Sequence, residues 1–249
     1  KNNNQLLGIL DKVNNLSFVP TMGALHRGHL SLIQKASNMK GKIMVSIFVN
    51  PKQFNSKNDF LKYPRNLKKD LNMLNKSKVD YVFIPSYKNM FNFKPKNSIY
   101  IHNFSKKLCG KFRPGHFKGV LNIVNRFLDL IKPKRLFLGD KDYQQFFLIK
   151  AHIKKNKINT IVHNCKTIRD KYGLAYSSRL KNLTRAELNT ARSCINFLKK
   201  NKKYLKIKKT RNKYLKNFKL NLIKNGVSKI DYLEVLDKKN FKEPKNKKN

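Results

Sequence analysis

The sequence predicts an α/β fold: a mostly parallel sheet covered by helices, followed by a smaller α+β domain. Three observations carry that prediction. Short apolar runs alternate with segments of three- and four-residue apolar spacing through the first two-thirds of the chain. The first four runs stop at Pro, Gly or Asn-Pro. The pattern then changes after about Lys166.

Taken in order, Leu16–Val19 is a short strand ending at Pro20, and His29–Met39 is the helix after a glycine-bearing loop. Ile43–Val49 is a buried strand stopped by Asn50-Pro51, and Asn66–Lys76 is the next helix. Tyr81–Ile84 stops at Pro85, and Gly119–Ile131 is helical. Arg135–Leu138 stops at Gly139, Asp142–Lys155 is helical, and Thr160–His163 is a fifth strand. Parallel strands joined through helices make right-handed crossovers, and their ligands bind beyond the carboxyl ends of the strands. Later, Thr184–Lys203 is a helix opened by a capping box, Thr184 with Glu187 three residues on. Lys213–Asn225 is a second helix, Ile230–Leu236 a strand, and Lys238–Asn249 a Lys/Asn-rich tail expected to fray. The expected domains are residues 1–166 and 167–249.

With 249 residues, 40% hydrophobic and 11% aromatic, the chain can bury a sizeable core, which excludes a disordered or fibrous protein. Its net charge is +44, from 47 Lys and 10 Arg against 13 acidic residues. The excess is general, +25 over residues 1–166 and +19 over the rest. It reads as a solvated basic surface of the kind AT-rich codon usage produces. Nucleic-acid binding is expected to be non-specific and salt-dependent only. Cys109, Cys165 and Cys194 have no CxxC spacing, so neither a disulfide framework nor a zinc site is implied. No apolar stretch approaches a membrane span and no apolar segment follows the basic start, so a soluble, cytoplasmic protein is expected.

Pro20-Thr-Met-Gly-Ala-Leu-His26-Arg-Gly28-His29 follows the first strand and opens a helix. Gly23 permits a tight exit from the strand, and Gly28 a close approach of backbone to a ligand. The helix start offers free N–H groups and a positive dipole end. His26 and His29, three apart, can both face one phosphate and hydrogen-bond its oxygens. The alternatives are two polar loop histidines, or a metal pair that lacks a third ligand nearby. Six of the ten glycines (Gly23, Gly28, Gly115, Gly119, Gly139, Gly173) fall in the distinctive motifs, and are expected to mark backbone that cannot carry a Cβ.

Val19–Ser31, VPTMGALHRGHLS, resembles the HxGH-type nucleotide loop of the pantothenate synthetases, the pantoate–β-alanine ligase family of the HxGH nucleotidyltransferases. Ser46–Phe54 (SIFVNPKQF), Tyr63-Pro-Arg65, Arg113–Val120 (RPGHFKGV), Leu138–Gln145 (LGDKDYQQ) and Gly173–Arg179 (GLAYSSR) follow in family order. The resemblance covers roughly residues 16–190. It departs at Tyr176, where Leu is common, at Leu180 for Asn and at Asp140 for Glu. The chain also ends soon after Ile230–Leu236, without the family's final strand.

The resemblance implies a Rossmann-like nucleotide-binding domain and a small lid domain. It implies two steps: pantoate's carboxylate attacks the α-phosphate of ATP, and β-alanine's amine then attacks the adenylate, giving pantothenate, AMP and pyrophosphate. It implies that His26 and His29 hold the triphosphate, with His29 the proton donor, and that Lys141 neutralises phosphate charge. Ser177, Ser178 and Arg179 would close onto the phosphates from the domain junction. Asp142 would accept from ribose hydroxyls, with Gly139 and Ile168 presenting backbone. Met22, Gly23, Gly28, Asp140 and Tyr176 complete the implied ATP site. Gln53 and Gln145 would hold pantoate's hydroxyl and carboxylate, walled by Pro20, Met22 and Phe54. Arg113 and His116 would lie on the pantoate/β-alanine side, Arg113 farther out. Mg²⁺ is implied through the ATP phosphates, without a protein metal site, and Asp59 as an outer-sphere helper. A homodimer is implied.

Other readings stand beside these. The lesser alternatives are Gln145 as a helix-surface residue and Asp142 as a helix-start charge. Tyr63-Pro-Arg65 reads as a turn without a chemical role, and His102, His152 and His163 as structural. A nucleotidyltransferase acting on a phosphate substrate, and a nucleic-acid-binding protein, are the competing functions. The paired glutamines disfavour the first, and the absence of RNP aromatics or zinc spacing the second.

Overall fold

The computed structural model describes residues 3–238 and 240–244. They form two compact units: the chain up to Ile168 with Ala175–Lys181, and Arg169–Leu174 with the chain from Asn182 on.

The first unit holds strands β1 (Ser17–Thr21), β2 (Ile43–Ile47), β3 (Tyr81–Phe83), β4 (Arg135–Gly139) and β5 (Ile161–Cys165). All are parallel, in the order β3-β2-β1-β4-β5. Its helices are α1 (Asn3–Leu10), α2 (Arg27–Ser37), α3 (Lys57–Lys62), α4 (Leu67–Asn75), α5 (Tyr87–Phe91), α6 (Cys109–Phe112), α7 (His116–Ile131) and α8 (Tyr143–Lys155). Every strand and helix expected over residues 16–165 is present. The short helices α1, α3, α5 and α6 were not expected, being too brief to show a period. Two of them carry local start signals: Ser56 accepts from Asp59 N–H before α3, and Ser86 from Asn89 N–H before α5.

The strand reversal between β1 and β4 is the crevice where doubly wound sheets bind ligands. Pro20 does not end the first strand as expected but lies inside β1. Ser17 N–H donates to Lys42 O on the β2 side. Alternation then turns the nitrogens of residues 18 and 20 toward β4. The β1–β4 ladder stops at Phe18–Leu136 while β1–β2 pairing continues to Thr21–Ile47. Pro20's missing N–H thus falls where no partner is needed, and the sheet parts there.

Successive β1 residues feed opposite faces. Phe18 meets Phe127 of α7 edge-on at 5.3 Å. Val19 packs with Leu32, Ile33 and Ala36 of α2 and Leu74 of α4. Each such fully buried apolar side chain contributes about 1.5–3 kcal/mol. The three histidines read as structural have structural partners. His102 caps a 3₁₀ turn through Phe104 N–H at 3.1 Å, and His163 stacks on Phe137 at 4.6 Å. His152 Nδ1 accepts from Tyr100 N–H at 3.1 Å while its Nε2 meets Asn125 Oδ1 at 3.0 Å, and burial lowers its pKa to about 4.

The second unit contains α9 (Arg185–Lys206) and α10 (Lys208–Lys224). The Thr184–Glu187 capping box forms as expected. Phe197 stacks on Phe218 at 5.2 Å, and buried Arg211 pairs with Glu243 at 2.6 Å. The strand expected at Ile230–Leu236 is not formed, so the described part of this unit is helical and irregular rather than α+β. A lone strand leaves its backbone groups unpaired, and the described residues offer it no partner strand. A turn follows, with Phe241 N–H donating to Asp237 O at 2.9 Å. Residues 239 and 245–249 of the tail expected to fray lie outside the described residues.

Candidate active site

A cavity of about 240 Å³ opens at the β1/β4 parting, lined wholly by the first unit. His26 is the N-cap of α2. Its Nδ1 accepts from Gly28 N–H at 3.1 Å, and His29 Nδ1 accepts from His26 N–H at 3.3 Å. A ring nitrogen that accepts carries no proton, so each neutral ring keeps its hydrogen on Nε2. The rings stack at 4.0 Å, and both line the cavity. Burial first, then the charges of Lys141 and Lys181, lowers the His26 pKa to about 4. Burial, His26 and the same lysines lower that of His29 to about 3. Without a ligand both are therefore neutral hydrogen-bond donors at pH 7, at the positive dipole end of α2, whose first N–H groups at Gly28 and His29 are taken up by His26. Gly28 serves this pair: a Cβ there would meet the His26 ring at 2.9 Å.

Gly139 ends β4, and a short 3₁₀ turn then places Lys141 and Asp142 at the rim, ion-paired at 3.0 Å. Nothing among the described residues lies within 4 Å of a Cβ built on Gly139, so no protein contact requires glycine there. Gln145 on α8 lines the cavity, and its amide makes no hydrogen bond among the described residues. Gln53 is held by neighbours: its Oε1 accepts from Asn50 Nδ2 at 3.3 Å and its Nε2 approaches Met22 Sδ at 2.9 Å. Pro20, Met22, Ile168, Tyr176, Ser177, Ser178 and Arg179 also line the cavity, as expected. Ser178 Oγ donates to Ala24 O at 3.1 Å, so this hydroxyl is already engaged. Arg179 binds Asp59 through both oxygens, at 3.1 and 3.0 Å, and stands over Tyr63 at 5.2 Å. Asp59 is thus the partner of an arginine.

Five expected residues do not line the cavity. Gly23 turns the chain with φ +77° beneath it. Asp140 accepts from Asn164 at 2.9 Å, outside it. Phe54 packs edge-on against Phe60 and Tyr63. Arg113 and His116 stand behind Gln53: its carbonyl accepts from His116 Nδ1 at 2.7 Å and Arg113 at 3.4 Å. A sequence string shows nearness along the chain, and here the α7 start turns these two onto the backbone of the turn.

The apolar end of the cavity comes from Val120, Ile123, Val124 and Phe127 of α7, which the periodicity assigned only to the core. Tyr63 and Lys166 also line it. Burial raises the Tyr63 pKa, and its hydroxyl hydrogen-bonds Ser178. Asp70 went unnoticed because a carboxylate in a helix's first turn looks like an ordinary dipole charge. In the structure it is buried and accepts from Ala24 and Leu25 N–H at 2.8 and 2.7 Å.

Comparison with known proteins shows the family. The profile of the pantoate-beta-alanine ligase family matches residues 3–249. The chain is 39% identical to a pantothenate synthetase of Fervidobacterium nodosum over 236 residues, covering 94% of this chain and 83% of that one. It is 40% identical to one of Francisella tularensis subsp. novicida over 238 residues, with 93% and 85% covered. Among solved structures, the pantoate-beta-alanine ligase of Francisella tularensis complexed with beta-gamma ATP and beta-alanine superposes with a TM-score of 0.85 at 37% identity, covering 95% of this chain and 88% of that one. The pantothenate synthetase of Thermus thermophilus gives 0.84 at 28% identity, covering 96% and 88%. No helix among the described residues is long and apolar enough to cross a membrane. The chain belongs to the pantoate–β-alanine ligase family.

Proposed function

We propose that this cavity joins (R)-pantoate to β-alanine with ATP, through a pantoyl adenylate. In the first step a pantoate carboxylate oxygen bonds to the α-phosphorus and the bond to the bridging β-phosphate oxygen breaks, releasing pyrophosphate. In the second, β-alanine's amine attacks the acyl carbon, loses a proton, and expels AMP. The protein has little covalent work to do; it positions anions and meets charge as it grows.

The residues divide that work by chemistry. The Nε2–H groups of His26 and His29, with the α2 start, meet the triphosphate, joined by Lys141 and Arg179. Arriving phosphate charge raises the imidazole pKa values, so a larger share of His29 carries the proton it would donate. Gln53 and Gln145 offer amides to pantoate's oxygens without adding charge, while Val120, Ile123 and Val124 take its methyl groups. The rim of Asp142, Gly139 and Ile168 suits the nucleoside. Mg²⁺ would travel with the nucleotide: it keeps its waters and binds phosphates, and among the described residues no three His, Cys, Asp or Glu converge to hold it. A homodimer in the cytoplasm completes the reading, and light scattering checks the dimer.

The observation that supports this reading is the stacked neutral imidazole pair at the α2 start, opposite uncharged amides and an apolar wall. The test is AMP and pyrophosphate release from ATP, Mg²⁺ and D-pantoate, with and without β-alanine. AMP formation that requires the amine supports the ligase; stoichiometric ADP overturns the adenylate route.

A further inference from the structure

The loop that carries the histidines is not held by its own sequence. Gly23 and Ala24 are consecutive left-handed residues, at φ +77° and +50°. Such a conformation is unfavourable for Ala and must be enforced from outside. Asp70, 2% exposed at the start of α4, supplies that force: Oδ2 accepts from Ala24 N–H at 2.8 Å and Oδ1 from Leu25 N–H at 2.7 Å. It has no ion-pair partner among the described residues. A Cβ on Gly23 would come within 2.9 Å of Oδ2, so the carboxylate and the turn fit each other closely. On its other side the Ala24 carbonyl accepts from Ser178. Leu25, buried, leads directly into His26.

We propose that Asp70 is a positioning residue for the reaction: its carboxylate fixes the Gly23–Ala24 turn so that His26 and His29 present both Nε2–H groups to the triphosphate before it arrives. The proposal rests on the ligase reading. Asp70 touches no reacting atom; it acts through two backbone amides and the loop they belong to. Neutral donors that are already aligned need no reorganisation as charge develops. Asp80 provides a natural control. It too accepts a backbone N–H, from Ile43 at 2.8 Å, and pairs with Lys42, but at the start of β2, far along the strand from the cavity.

The test compares wild-type full chain with Asp70→Asn and Asp80→Asn by AMP release and by ¹⁵N signals of the imidazoles. Asn keeps one acceptor and turns a donor toward the second N–H. Asp70→Asn should lower kcat about a hundredfold, the scale of a misplacement near 1 Å, and leave the KM for pantoate unchanged. The His26 and His29 ring nitrogens should lose their single Nε2–H form and average. Asp80→Asn should lower the Tm and leave kcat and ring signals alone. A folded Asp70→Asn protein with wild-type kcat and ring signals overturns the proposal, as does an equal kcat loss in Asp80→Asn. If Asp70→Asn does not fold, amide exchange in the wild type decides: slow exchange at Ala24 and Leu25 supports the clamp, fast exchange refutes it. A folded wild type that releases no AMP sinks the ligase reading instead, and the ring signals and exchange rates then judge Asp70 alone.

Discussion

Gly119→Ala should disturb pantoate without disturbing the nucleotide. Gly119 sits in the first turn of α7, where a Cβ would lie 2.0 Å from Lys52 O, 2.5 Å from Lys52 C and 2.8 Å from Gln53 Cα. These are backbone atoms, so no side chain can swing aside. Real Cβ contacts essentially never fall under 3.0 Å, so helix and turn must separate by about 1 Å. The helix is held by Phe127 against Phe18, and the Pro51–Gln53 turn is the softer partner. Overpacking of this kind costs about 1–3 kcal/mol, and loss of the Asn50–Gly119 O bond of 3.1 Å adds about 1. Ala's better helix propensity returns about 1 kcal/mol. The net loss is about 2 kcal/mol, a fall in Tm of about 4–8 °C for a unit of this size. Gln53, carried by the turn, should raise the KM for pantoate at least tenfold, on the scale of a misplacement near 1 Å, with little change for ATP. Thermal unfolding and AMP-release kinetics with each substrate varied make the assay. An unchanged Tm together with an unchanged pantoate KM would refute the packing argument.

His29→Ala should abolish AMP release while the fold survives, since among the described residues the ring's structural ties are its stack on His26 and the cap to His26 N–H, the latter worth about 1 kcal/mol; turnover within a factor of ten of wild type, with circular dichroism intact, would remove the phosphate role. Stability should fall on acidification. The pKa values of His26, His29 and His152 are lowered in the folded protein to about 4, 3 and 4, so the unfolded chain binds more protons below its ordinary value of 6.5. Their contribution is complete above pH 6.5 and is lost as pH falls toward 4; a urea midpoint that stays flat from pH 7 to 5 would show the rings are not held neutral. Asp59→Asn should leave the Mg²⁺ dependence of AMP release unchanged, because Asp59 binds Arg179; a marked rise in the Mg²⁺ requirement would return it to the metal. As a half-exposed pair its loss should shift stability by less than about 1 kcal/mol.

The gaps in the sequence reading are instructive one by one. Pro20 looked like a strand end because a proline lacks a donor, yet what matters is which neighbour that donor would have faced. Ile230–Leu236 has strand-like residues, but a strand needs a partner that local pattern does not name. Gly28 was read as letting backbone approach a ligand, and the structure adds a reason that the string did not show: a Cβ there would meet the His26 ring at 2.9 Å. Arg113 and His116 were read on the pantoate/β-alanine side, and the structure shows the partner that the string did not name, the Gln53 carbonyl. In each case the residue type was informative and its partner was not.

The chain alone determined the alternation of strand and helix, the parallel sheet, the capping box at Thr184, and the ordered motifs on which the family resemblance rests. These follow from periods of two and 3.6 residues and from ordered local motifs, which are properties of neighbours in sequence. Only the tertiary structure decided the order β3-β2-β1-β4-β5, the parting of β1 from β4, the tautomers of His26 and His29, and the hold of Asp70 on residues 45 and 46 positions away. Those depend on hydrogen bonds and packing between segments far apart in the chain, and a hydrogen bond has a direction that composition and spacing do not carry.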